Sequence, residues 1–189
     1  MESKNKIRLL YKSKRLGIDQ EQRGLLSEKI KTNVLLYFLG KVGIQHIHIF
    51  LPIDKLNEVN TFPLIKALQD QGKTVYTSTS DFQNGVMHTV KLAADPLFGS
   101  DKFGIPVPLD PVEGSNSLLQ AVLIPLLAYD LEGHRLGYGK GFYDKFLSRL
   151  APGVLKVGLS FFPAEKSIPT EEHDVRLDSC INPEEVIEF

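Results

Sequence analysis

The segment Tyr129–Asp144, YDLEGHRLGYGKGFYD, is the densest concentration of residues that could do chemistry. Gly137, Gly139 and Gly141 alternate with Tyr138 and Lys140. Alternating glycines permit positive φ and let backbone amides close on a chain of phosphates. A helix opening directly after them aims its N-terminal amides and dipole at the same anion. Arg135 and Lys140 add full positive charges, and Asp144 falls in the first turn of that helix, where a carboxylate suits the dipole and could hold Mg2+ beside phosphates. The segment is not a Walker A loop, which needs glycine at His134 and a hydroxyl residue at Gly141, nor a Rossmann fingerprint, because its third glycine comes one residue early. A glycine-rich turn with a solvated basic rim would carry the same glycines; Arg135, Lys140 and Asp144 together favour phosphate.

Four other features bear on chemistry. Lys4 and Arg8 are spaced to share a helix face; they reach a triphosphate if that helix crosses a sheet edge, and otherwise form a solvated face. Glu58 precedes a helix, where a carboxylate either accepts hydrogen bonds from a heterocycle or complements the helix dipole, and position alone favours the second role. Asp174 is a second candidate metal carboxylate, or a turn residue. His46 and His48 read as packed strand residues, since no third ligand stands at a diagnostic spacing. Cys180, the sole cysteine, has no activating partner and reads as an inert thiol.

These residues need elements to position them. One helix is expected over Glu2–Leu16, with Ile7, Leu10 and Tyr11 on one face and Gly17 ending it. Asp19 and Gln22 form a capping box for a second helix reaching about Leu39, with Leu25, Leu26, Ile30, Val34 and Tyr37 inward and Gly40 and Gly43 stopping it. Ile44–Leu51 reads as a strand, Asn60 or Thr61 as the cap of a helix through Leu68, and Gly72 as its C-terminal cap. Lys73–Thr79 and Val86–Leu92 read as strands joined through an Asn84-Gly85 turn. Asp95–Pro111, with Pro96, Pro106, Pro108 and Pro111, is expected to be irregular. Leu118–Leu127 reads as a buried strand, Phe142 to about Leu150 as a helix, and Val154–Phe161 as the last strand. Strands alternating with helices predict an α/β fold, a single domain over residues 1–189 with a mainly parallel sheet flanked by helices in three layers. Ligands in such folds gather beyond the carboxyl ends of the strands, here the turns after Leu51 and Leu127.

Bulk composition excludes several function classes. The chain has 189 residues, 42% hydrophobic and 24% charged, which suits one ordered core. A net charge of −1 gives no global attraction to nucleic acid. No apolar run follows the basic N-terminus and none is long enough to span a bilayer. A cytoplasmic protein is expected, taking small-molecule partners rather than nucleic acid or membrane, as a monomer or weak homodimer.

At these residues the chain resembles the 5-formyltetrahydrofolate cyclo-ligase family, close to full length. The resemblance centres on Asp130–Asp144, with support from Lys4-x-x-Ile7-Arg8, Glu58-Val59-Asn60-Thr61, Gly72-Lys73, Gly104-Ile105-Pro106 and His173-Asp174 with Asp178. It implies ATP- and Mg2+-dependent conversion of 5-formyltetrahydrofolate to 5,10-methenyltetrahydrofolate, with release of ADP and phosphate. It further implies that ATP meets Lys4, Arg8 and the run Gly133, His134, Arg135, Leu136, Gly137, Tyr138, Gly139, Lys140 and Gly141. Glu58 would bind the pterin beside Leu51, with Phe103 as a stacking candidate. Arg135, Tyr138 and Lys140 would act on the reacting groups, and Asp144 and Asp174 would hold Mg2+. The chain departs from the family pattern at Lys140, where glycine is common, at Asn60 for aspartate, at Phe142 for tyrosine, and in lacking a glutamine between Gly158 and Pro169. A different ATP-dependent enzyme acting on another amide or formamide, and a non-catalytic nucleotide- or folate-binding regulator on the same fold, are the alternatives.

Overall fold

The computed structural model describes residues 3–189, so the expected helical position of Glu2 lies outside the described residues. Helix α1 (Lys4–Leu16) starts at Ser3, whose side chain accepts the Lys6 amide, and ends at Gly17. Ile7 and Tyr11 are buried, whereas Leu10, expected on the same face, is 46% exposed. The Asp19 carboxylate accepts the Gln22 amide at 2.8 Å and opens α2 (Gln20–Leu39). The buried stripe of α2 is Arg23, Ser27, Ile30, Val34 and Phe38. Leu25, expected inward, is 62% exposed. At 100° per residue it lies on the side of the helix away from Arg23 and Ser27, and those two polar residues face inward because they hold a loop. Arg23 Nε donates to the Glu58 carbonyl (2.7 Å) and Ser27 Oγ accepts the Asn60 amide (3.0 Å).

Strand β1 (His46–Ile49) is followed by α3 (Phe62–Asp70), whose first amide is taken by Asn60 Oδ1 (3.3 Å), while Thr61 Oγ1 turns back to the Phe50 carbonyl (2.7 Å). Gly72, at φ +78°, closes the far end of α3 in a Schellman motif: Lys73 N–H bonds the Leu68 carbonyl and Gly72 N–H the Gln69 carbonyl. Strands β2 (Thr74–Asp81) and β3 (Val86–Lys91) form the expected antiparallel hairpin. The proline-rich stretch expected to be irregular instead holds a second hairpin, β4 (Phe98–Ser100) with β5 (Pro106–Pro108). Prolines fit there because an edge strand can lack ladder donors. Strand β6 (Val112–Glu113) follows, then β7 (Ala121–Pro125). The apolar run Leu118–Leu127 is therefore not one strand: it opens with a 3-10 turn at Asn116–Leu118, and Pro125 ends the ladder. The chain then turns into the short pair β8 (Ala128–Tyr129) and β9 (Arg135–Leu136). Helix α4 (Phe142–Leu147) stops short of Leu150. After β10 (Leu155–Leu159) come two strands with no sequence-based expectation, β11 (Ser179–Ile181) and β12 (Val186–Glu188), each too short to show a period.

Among the described residues eight strands make the main sheet, in the order β12-β11-β10-β7-β1-β2-β3-β6. Strands β2, β1, β7, β10 and β11 are mutually parallel, and the pairs at the edges are antiparallel. In chain order the parallel strands run 2-1-3-4-5, so the winding direction switches between β1 and β7. A crevice opens at such a switch point, beyond the carboxyl ends. Helices α2 and α3 cover one face through Ile30, Val34, Phe38, Leu64, Ile65 and Leu68 against Ile47, Ile49, Leu123 and Val157. Helix α4 covers the other through Phe146 and Leu147 against Val122, Ile124 and Cys180. Helix α1 packs Ile7 and Tyr11 on Leu127, Ala128 and Leu136, beside the crevice. No helix of the described residues is long and apolar enough to cross a membrane.

Leu123→Ala, in the middle of β7 with no exposed surface, is expected to lower the unfolding free energy by about 2–5 kcal/mol in chemical denaturation. Leu25→Ala is expected to stay within about 0.5 kcal/mol of the parent; equal losses would contradict the assigned face of α2.

Candidate active site

A cavity of about 1100 Å3 occupies the switch-point crevice. It has two unlike walls. The first is the glycine loop with the inner face of α1. Gly139 (φ +87°) and Gly141 (φ +69°) adopt the left-handed conformation that the alternating glycines predict. A Cβ at Gly139 would lie 3.0 Å from Arg8 Cζ and press on the Arg8 guanidinium. Arg8 reaches over the loop and donates through Nε to the Gly137 carbonyl at 3.0 Å. Lys4, Arg8 and Lys12, spaced by four along α1, all line the cavity. Lys140 is at the mouth, its Nζ 5.7 Å from the Phe82 ring centroid. Phe82 also meets Phe103 (5.0 Å) and Phe142 (5.6 Å), so the Phe142 departure contributes a ring to an aromatic rim.

Two carboxylates flank this wall. Asp144 Oδ1 accepts both terminal nitrogens of the buried Arg135, at 3.0 and 2.7 Å, and Arg135 also donates to the Val175 carbonyl (2.9 Å). Asp174 Oδ2 accepts Lys4 Nζ at 2.7 Å and the Glu171 amide at 2.8 Å. Burial would raise the Asp174 pKa, but the Lys4 ammonium and the Glu171 amide outweigh it and hold the carboxyl below its usual range. Arg135 feels the charge of both aspartates. Each aspartate has one oxygen engaged and its other oxygen unpartnered among the described residues. Both carboxylates line one cavity and offer hard-oxygen donors of the kind Mg2+ takes, and Glu171 and His173 bring further donor atoms within 4.8 Å of that of Asp174.

Gly133 and His134 do not line the cavity. They build the β8–β9 turn around Asp130, which is 1% exposed. Its carboxylate accepts the amides of Glu132 (3.0 Å), His134 (3.0 Å) and Ile168 (3.1 Å) and meets His134 Nδ1 at 3.0 Å. Burial pushes the Asp130 pKa up, but the Ile168 amide, the His134 ring and the turn amides together bring it below normal. His134 is thus committed to Asp130, and the turn fixes the strand that delivers Arg135.

The second wall centres on Glu58. Sequence position alone favours a charge complementing the dipole of the next helix; the structure corrects this, because Glu58 is 2% exposed and lies outside the first turn of α3. The reversal comes at Asn57, whose φ of +50° turns the following residue inward. Glu58 Oε1 accepts the Tyr138 hydroxyl at 2.6 Å and Oε2 accepts the Ile53 amide at 2.8 Å. Burial raises the Glu58 pKa, opposed by the Ile53 amide, the Tyr138 hydroxyl, Arg15 and Arg23. Leu51 lines the same wall, and Phe103, 48% exposed, stands at the mouth. Tyr138 belongs to the glycine loop but bonds Glu58, so it joins the two walls.

His48 has no exposed surface and its Nε2 meets Ser78 Oγ at 2.7 Å. Burial lowers its pKa to about 3, so it is neutral and packed. The Cys180 thiol is fully buried and its pKa is pushed up by that burial. Sequence reasoning missed Arg15 and Phe82. Arg15 follows Lys4, Arg8 and Lys12 on one helical face, a signal that a wheel of α1 carries. Phe82 sits in the β2–β3 turn, and its sequence context carries no signal.

A model of the 5-formyltetrahydrofolate cyclo-ligase family matches residues 1–183. The chain belongs to that family. It is similar to 5-formyltetrahydrofolate cyclo-ligase of Mycoplasma genitalium, at 25% identity over 96% of this chain and 98% of the relative. It is 30% identical to the protein of that name from Mus musculus, over 72% of each. The solved structure of Aquifex aeolicus 5,10-methenyltetrahydrofolate synthetase matches with a TM-score of 0.82 at 27% identity, covering 98% of this chain and 92% of that one. Membership makes the chain an enzyme of the cyclo-ligase class, with a mostly parallel sheet between helices.

The raised Glu58 pKa has a consequence for stability. The folded state binds the Glu58 proton more tightly than the unfolded chain does, so ionising it costs stability as pH rises from the usual carboxylate range through the folded value. The stability of the parent minus that of Glu58→Gln should therefore fall as pH rises through that window, read from denaturation midpoints. A flat or rising difference would show that burial does not raise the proton affinity of Glu58.

Proposed function

We propose that this chain converts 5-formyltetrahydrofolate to 5,10-methenyltetrahydrofolate with ATP and Mg2+, releasing ADP and phosphate. The observation that carries the reading is one cavity with two unlike walls. An anchoring carboxylate, Glu58, lines one side, and a positive-φ glycine loop beneath a basic helix face lines the other. About 1100 Å3 exceeds what one drug-sized ligand usually needs, consistent with two substrates side by side.

The folate's pterin would place its N–H donors on Glu58, with Leu51 and Phe103 against the ring system. The triphosphate of ATP would lie along Arg135–Gly141 under Lys4 and Arg8. The formyl oxygen takes the γ-phosphoryl group and ADP leaves. The second folate nitrogen then attacks the activated formyl carbon and gives up its proton. The C–O bond breaks and phosphate departs with that oxygen. Lys140 spreads charge on the transferring group, and Tyr138, tied to Glu58, holds the reacting carbon near the loop. Asp144 and Asp174 would hold Mg2+, which neutralises phosphate charge when bound. In this reading Arg135 acts chiefly by orienting Asp144, and Lys4 is shared between Asp174 and the phosphates. The protein works as one unit over residues 1–189, in the cytoplasm, as a monomer or weak homodimer.

The near-ultraviolet absorbance of the methenyl product tests the reaction. It should rise only with ATP and Mg2+ present and should be lost in Asp144→Ala. Folded protein that binds both ligands without any rise would instead be a regulator. Lys140→Ala should lower kcat on the order of a hundredfold; an unchanged kcat would remove Lys140 from the transferring group. Glu58→Gln should raise the folate KM about tenfold with little change in the ATP KM, and equal effects on both would contradict the assignment of the two walls.

A further inference from the structure

Lys4, Arg8 and Lys12 line the cavity, while Arg15 of the same helix lies behind it, 5% exposed. Its Nη2 donates to the Tyr138 hydroxyl and its Nη1 to the Leu126 carbonyl (3.3 Å). Its Nε is buried without a partner. An unpaired donor at that depth is costly, and a buried charge is weak evidence for stability. Burial of the guanidinium does not by itself account for an arginine here.

The direction of the hydrogen bonds suggests what does. A guanidinium has donors and no acceptor. Tyr138 Oη must accept from Arg15, and so must give its own proton to Glu58, which it does at 2.6 Å. Glu58 is left with acceptor roles only, toward Tyr138 and the Ile53 amide. The backbone repeats the connection: the Asn57 side-chain amide donates to the carbonyls of Arg15 and Ile18, both at 2.7 Å. The helix end that carries Arg15 is thereby stapled to the turn that carries Glu58.

We infer that Arg15 is a positioning residue that acts through the Tyr138 hydroxyl to favour the ionised form of Glu58 against its burial and to aim the carboxylate at the N–H donors of a substrate heterocycle. The inference rests on the reading of Glu58 as the folate anchor. Other charged or titratable groups face Glu58 from each packed element. Arg23 of α2 bonds its carbonyl and shares its charge with Asp54 (3.0 Å). Tyr143 of α4 is partly buried near it, with its pKa raised by burial first and then by Glu58. Tyr138 contributes its proton and Arg15 its charge, and both oppose the effect of burial on Glu58.

Two readouts test this, one of them free of ligand. The carbon-13 carboxyl resonance of Glu58, assigned by its loss in Glu58→Gln, is titrated in the parent, Arg15→Met and Arg15→Lys. Arg15→Met should titrate at clearly higher pH than the parent, and Arg15→Lys close to it. Calorimetric binding of 5-formyltetrahydrofolate without ATP should weaken about tenfold in Arg15→Met at neutral pH, with the gap closing as pH rises and Glu58 ionises. Were Arg15→Met unfolded, Arg15→Gln, which keeps a donor and loses the charge, should give the same two results. An unchanged Glu58 titration, or a binding loss that is the same at every pH, would overturn the role of Arg15. A shifted titration in a protein whose parent binds no folate would overturn the folate reading and leave the effect of Arg15 on Glu58 standing.

Discussion

A carboxylate with almost no exposed surface has to be answered locally, and Glu58 is such a group. Its two oxygens need donors, and the chain supplies them from opposite directions, the Ile53 amide from its own turn and the Tyr138 hydroxyl from eighty positions away. That second bond ties the turn after β1 to the loop after β9. It requires the glycine loop to stand over the carboxyl end of β1, and so depends on β1 and β7 being neighbours at the switch in the sheet. It also requires α1 to cross close by, because Arg15 decides which way the Tyr138 proton points. Sheet order, loop and N-terminal helix meet at one buried carboxyl group.

The glycine loop is held by similar means. Asp130 gathers the turn amides and the His134 ring, so that β9 leaves the turn in a fixed direction and Arg135 reaches Asp144. Beyond β9 the glycines take over, and the Arg8 guanidinium packs close against Gly139. Cations line this side, and the anions among them are already paired: Asp144 with Arg135, Asp174 with Lys4. A metal joining these carboxylates would find them oriented.

How legible this was in the sequence depended on the range of the interactions. The alternating glycines, the caps at Asp19 and Gly72, and the hairpin through Asn84-Gly85 are local signals, and each formed as its chemistry dictates. Alternating strands and helices point to the fold, and the resemblance carried by Asp130–Asp144 points to the family. Strand ends were misjudged where apolar character outlasted the ladder, as at Leu118–Leu127, because periodicity does not reveal where a partner strand ends. Hydrophobicity alone points Leu25 inward, but the inward positions in the first half of α2 belong to Arg23 and Ser27, whose partners lie in a distant loop. The burial of Glu58 was invisible for the same reason: it follows from the left-handed Asn57 and from the reach of Tyr138. Strands β11 and β12 were too short to register.

The central claim is that one cavity holds both substrates, the heterocycle on Glu58 and the polyphosphate on the glycine loop. A crystal structure with 5-formyltetrahydrofolate and a non-hydrolysable ATP analogue bound together tests it most directly. The account predicts pterin N–H groups on the Glu58 carboxylate, phosphates against Gly137–Gly141 beneath Arg8, and the formyl oxygen facing the terminal phosphate. Ligands that exclude one another, or a pterin seated away from Glu58, would contradict it.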